Sequence, residues 1–110
     1  MKYKKIKIGG VWVDVKYISG QEHFPDGESG LALFNQHLIK IDDSMKKEEQ
    51  ESTLIHEILE FINKMWELGL DHKTICCLEV SLYQVLKDNF KVTTNSHNKK
   101  RDEKMDKSGG

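Results

Sequence analysis

The chain lacks most of the features of a secreted, membrane-spanning or nucleic-acid-coating protein. It has two cysteines, Cys76 and Cys77, and they are neighbours. Adjacent side chains on a helix point about 100° apart, so a disulfide between them would be badly strained. No Cys-x-x-Cys spacing offers a zinc or redox pair. Two reduced thiols fit a reducing compartment. No apolar run approaches the roughly 20 residues of a membrane span. The opening Met1-Lys2-Tyr3-Lys4-Lys5-Ile6 alternates where a signal peptide would carry an apolar core. A cytoplasmic protein without a membrane partner is expected. The formal net charge is −1, so no basic excess points to nucleic acid as the main partner. There is one proline, Pro25, and no internal repeat.

What is present is enough for one domain. The 110 residues are 37% hydrophobic and 32% charged, which allows one modest core and a large polar surface. Tyr3 to Ile8 alternates, with Ile6 and Ile8 on one face and Lys5 and Lys7 on the other. Gly9-Gly10 is a hairpin signal, and Val11, Val13, Val15 and Tyr17 share one face of the following segment. Two antiparallel strands are expected there, then a loop from Ser19 to Gly30. β character resumes from Leu31 to Asp42, most clearly at Leu38-Ile39-Lys40-Ile41. Asp42-Asp43-Ser44 offers caps for a helix from near Met45 to Leu68, closed by Gly69. Asp71 is placed to cap a second helix ending near Phe90, with Ile75, Leu78, Leu82, Val85 and Leu86 as its apolar stripe. Trp12 and Trp66 read as core. Hydrophobic residues almost vanish beyond Lys91, so the expectation is a domain over 1–90 and a disordered polar tail over 91–110.

The chemistry concentrates in His56-Glu57-Ile58-Leu59-Glu60. His56 and Glu60 are four apart on the first helix, one above the other on the same face, as two ligands for one ion must be. In the zinc-peptidase pattern H-E-x-x-H the intervening Glu is the general base. Glu57 holds that place here, and Glu60 stands where the second histidine would be. A carboxylate is an acceptable zinc ligand, so the motif supports metal binding better than it supports peptidase activity. The plainer account is a solvated face, since His56, Glu60, Asn63 and Glu67 line up opposite the apolar stripe. A third ligand decides between the two.

The second helix supplies candidates in one row: His72, Cys76, Glu79 and Tyr83. Glu79 projects among Ile75, Leu82 and Leu86, at or inside the apolar face. A carboxylate there needs a metal, a cation or hydrogen-bond donors, and a lysine such as Lys64 or Lys87 is the simpler partner. His72 reads as a capping or surface residue alone, and as a nitrogen ligand beside His56 and Glu60. Tyr83 reads as packing or as a hydrogen-bond donor to a ligand, and Cys76 as a small buried residue or a soft ligand.

The block Thr53-Leu54-Ile55-His56-Glu57-Ile58-Leu59-Glu60 is followed by Leu70-Asp71-His72 and by Leu78 to Asn89. Together with the preceding β-rich segment, it resembles small phage-encoded zinc metallopeptidase-like proteins of Gram-positive bacteria. The resemblance covers roughly residues 5 to 90. It implies an α+β, minimal zincin-like fold: a small, antiparallel-rich N-terminal sheet packed on the motif helix, with a second, C-terminal helix closing the site. By position it implies His56 and Glu60 as zinc ligands, Glu57 as catalytic base, and further ligands from His72, Glu79 or both. It further implies a hydrolase acting on a protein or peptide in a bacterial host cell. The alternative is a metal-stabilised phage protein without turnover that binds a host or phage protein, and a closed shell of His56, Glu60, His72 and Glu79 would favour it. A chain with no metal at all is the third reading.

Overall fold

A computed structural model describes residues 2–90. The polar tail expected over 91–110 lies outside the described residues. The fold is α+β: a four-stranded sheet with one helix packed on one face of it and a second helix packed chiefly on the first. Strands β1 (Lys2–Ile8) and β2 (Val11–Ile18) form the expected hairpin. Gly9 and Gly10 both take positive φ (56° and 86°), which the tight turn requires. Met65 closes over this turn, and a Cβ on Gly9 would lie 2.6 Å from its Sδ.

The segment after the loop makes two strands. β3 (Gly30–Leu33) and β4 (Leu38–Asp42) are antiparallel partners joined through a 3-10 turn, Phe34–Gln36. β4 then inserts beside β2 and runs parallel to it, giving the order β1-β2-β4-β3. The sheet is therefore mixed, and β3 is left at its edge. Alternation puts Val13, Val15, Ile39 and Ile41 on one face, where all four are fully buried.

Helix α1 (Lys47–Met65) covers that face through Phe61, Leu54, Ile58 and Ile62. It starts two residues later than expected. Asp42 accepts from the backbone and hydroxyl of Ser44 in a turn of its own, and Glu49 reaches back to the Lys46 N–H at 3.4 Å. It also ends early, because Glu67 and Gly69 adopt left-handed conformations and Asn63 grips both the N–H and the carbonyl of Leu70 (2.9 and 3.1 Å). Asp71 caps helix α2 (His72–Asn89) by accepting from the Thr74 N–H at 2.8 Å.

Three expectations about the core are corrected. Trp12 alternates with Val11 and Val13, so it faces the side of the sheet away from the helices and is 58% exposed. Trp66 falls just past the end of α1 and is 63% exposed. The α2 stripe buries Ile75 alone; Leu78, Leu82, Val85 and Leu86 stay between 38% and 42% exposed. α2 packs chiefly on α1, and one helix cannot cover a stripe this wide. Among the described residues no helix is long and apolar enough to cross a membrane.

Candidate metal centre

The row of polar residues on α1 is roofed by α2. Ser52, His56, Glu60 and Asn63 repeat at 4, 4 and 3 residues, so they share a face. Packing α2 against that face leaves the His56 side chain only 14% exposed. The solvated-face reading of His56 is thereby overturned. Its Nδ1 lies 2.8 Å from Oε1 of Glu79, and its Nε2 lies 3.2 Å from Oε2 of Glu60. Ser52 donates to the other oxygen of Glu79 at 2.6 Å. The His56 and His72 rings meet edge-on with centroids 5.4 Å apart.

The four expected ligands do not converge on one point. Two trios form, and His56 belongs to both. In one, His56, Glu60 and His72 each bring a ligand atom within 4.8 Å of the others; in the second, His56, Cys76 and Glu79 do. His56, Glu60, His72 and Glu79 are not gathered into a single shell, because Glu79 lies at Nδ1 of the ring and Glu60 at Nε2. A carboxylate on Nδ1 holds the imidazole in place and directs the Nε2 lone pair outward, the usual partner of a metal-binding histidine.

Family models, curated proteins and solved structures contain no match to the chain.

The donor set fits a divalent cation. Two carboxylates flank one imidazole, and carboxylates only accept. Among the described residues neither Glu60 nor Glu79 forms an ion pair with a lysine. Of the two lysines, Lys87 donates to the Tyr83 hydroxyl, and Lys64 lines the groove that Glu60 also lines. Two imidazoles and a carboxylate are ordinary zinc donors.

Glu57 occupies the neighbouring face of α1 and contributes to neither trio. It is the only charged side chain buried among the described residues, at 7% exposure. Its carboxylate lies under the edge strand, where a Cβ on Gly30 would sit 3.0 Å from its Cγ and Oε2. Burial pushes its carboxyl up to about 7; His56 opposes this, while Glu60, Glu79 and Glu28 add to it. A carboxyl of this kind exchanges a proton near neutral pH.

Tyr83 donates to Glu51 at 2.8 Å, one turn along α2 from Glu79. Cys76 is half-buried, with Sγ 3.3 Å from Nε2 of His72. Partial burial, and then Glu79, Cys77 and Glu60, raise its thiol. Both cysteines are free thiols. Two contributors escaped sequence reasoning. Ser52 carried a usable signal, since it precedes His56 by one turn. Gly30 carried none, because its role depends on how closely β3 approaches α1.

Proposed function

We propose that the chain is a zinc-dependent hydrolase acting on peptide bonds, with the ion held by His56, Glu60 and His72. The observation that carries this reading is His56 itself, fixed by Glu79 on Nδ1 and facing Glu60 through Nε2, with His72 alongside. Three protein ligands leave a fourth position open, which distinguishes catalytic from structural zinc. His56, Glu60 and His72 would hold the ion, which would supply Lewis acidity and activate a water near neutral pH. As general base Glu57 would accept a proton from the attacking water and pass it to the leaving amine, work suited to a carboxyl near 7. Ser52 and Glu79 keep His56 aligned.

Support for a peptide substrate comes from the surroundings. Glu60 lines a groove of about 900 Å³ that also takes in Ala32, Phe34, Phe61, Lys64 and Gly69. The groove follows β3, the terminal strand of the sheet. An edge strand offers a row of unpaired backbone groups to which an extended peptide can add. In this reading the chain works inside a bacterial host cell, as its resemblance to phage proteins implies.

A second reading, a metal-stabilised binding protein without turnover, draws on Glu60 standing where zinc peptidases usually carry a second histidine. Two measurements test both. Elemental analysis of zinc-replete protein is expected to give stoichiometric zinc in wild type and loss in His56→Ala. Cleavage of unfolded protein substrates is expected to vanish in Glu57→Gln while zinc is retained. Metal-free wild type refutes both readings; zinc without turnover leaves the second.

A further inference from the structure

The zinc position built from His56, Glu60 and His72 leaves two metal-ligating side chains of the cluster outside its shell, Cys76 and Glu79. The second trio, His56, Cys76 and Glu79, has its ligand atoms within 4.8 Å of one another. It shares only His56 with the first, and Glu79 meets that ring at the opposite edge. We infer that the cluster contains a second cation position, made by Nδ1 of His56, Sγ of Cys76 and a carboxylate oxygen of Glu79. This inference rests on the assignment of metal binding to His56 in the preceding reading.

The chemistry of one imidazole ties the two positions together. A neutral ring has a single lone pair, on Nδ1 or on Nε2, and a proton on the other nitrogen. With the proton toward Glu79, the lone pair points at Glu60 and His72. With the proton toward Glu60, the lone pair points at Glu79, whose trio with His56 includes Cys76. A carboxylate stands ready to accept the ring N–H in either tautomer, at 2.8 Å on one side and 3.2 Å on the other. One ion therefore occupies one position at a time. When it passes to the second, the ring proton moves from Nδ1 to Nε2 through solvent. The S–metal bond forms as the thiol proton of Cys76 leaves to solvent.

The two positions differ in character. The first is open, with His72 exposed and the Glu60 side chain 35% exposed beside the groove. The second is drier, with Cys76 half-buried and the Glu79 side chain 19% exposed. A thiolate, an imidazole and a carboxylate in partly desolvated surroundings favour zinc and cobalt(II) over magnesium or calcium.

Cobalt(II) added in one equivalent to the metal-free full chain tests this, because thiolate ligation gives a near-ultraviolet charge-transfer band. The band is expected in wild type and Cys77→Ser, and absent from Cys76→Ser and Cys76→Ala. It is expected to grow in Glu60→Ala and His72→Ala, where the competing position is removed. No thiolate band in wild type, or a band lost with Cys77 and kept without Cys76, overturns the second position. Growth up to two equivalents overturns the one-at-a-time occupancy. Affinity separates this inference from the hydrolase reading. Cobalt binding that depends on Glu60 and His72 without any thiolate band leaves only the first position. A band with affinity indifferent to Glu60 and His72 leaves only the second.

Discussion

Replacing Glu57 with Gln removes the one carboxyl buried among the described residues, and its effect on stability should depend on pH in a defined direction. The folded-state pKa is about 7 against an ordinary value of 4.5. Between those values the folded chain holds a proton that the unfolded chain has released. Stability from this group is complete below about 4.5 and is lost as pH rises through about 7. At about 1.4 kcal/mol per pH unit, the loss is roughly 3 kcal/mol, a large part of the 5–15 kcal/mol typical of a domain. Gln keeps the shape and carries no titrating proton. Urea unfolding of metal-free wild type and Glu57→Gln at pH 5 and pH 8 isolates the term, since every other group is common to both. The wild-type midpoint should fall relative to the variant by about 1–2 M urea between those pH values. Parallel pH dependences would falsify the argument that burial holds this carboxyl protonated.

Other perturbations probe the frame around the cluster. Gly30→Ala should cost about 1–3 kcal/mol, because its Cβ would lie 2.7 Å from Cγ2 of Thr53 and 3.0 Å from Glu57. Adding Thr53→Ser should recover part of that loss in thermal unfolding; no recovery would place the strain elsewhere. Asn63→Ala leaves the Leu70 N–H and carbonyl without their partner and should lower stability by about 1–3 kcal/mol in denaturant titrations; a neutral effect would deny it a role in setting the inter-helix turn. Glu79→Ala should weaken zinc binding about 10- to 100-fold by calorimetry, and Ser52→Ala should weaken it less. Equal losses from the two would mean that Ser52 does more than steady Glu79.

Local pattern carried the elements well. The hairpin through Gly9-Gly10 and the Asp71 cap follow from conformational demands within a few residues, so both were legible in the chain. The 3.6-residue period likewise put His56 with Glu60, and His72 with Cys76 and Glu79, on single helical faces. Helix ends were less legible: the left-handed Glu67 and the Asn63 clasp on Leu70 follow from chain reversal. Periodicity marks a side chain as apolar without saying whether anything covers it, and so Trp12, Trp66 and most of the α2 stripe were misplaced in the core.

Composition and spacing by themselves determined that this chain builds a small α+β domain with nitrogen and carboxylate donors on two consecutive helices. Tertiary structure alone decided that α2 covers the His56 face, that Glu79 meets Nδ1 while Glu60 meets Nε2, and that Glu57 is shut beneath β3. The reason is reach. Backbone preference acts over one or two turns, whereas donor placement around a ring depends on how two helices, 23 residues apart at His56 and Glu79, settle against each other.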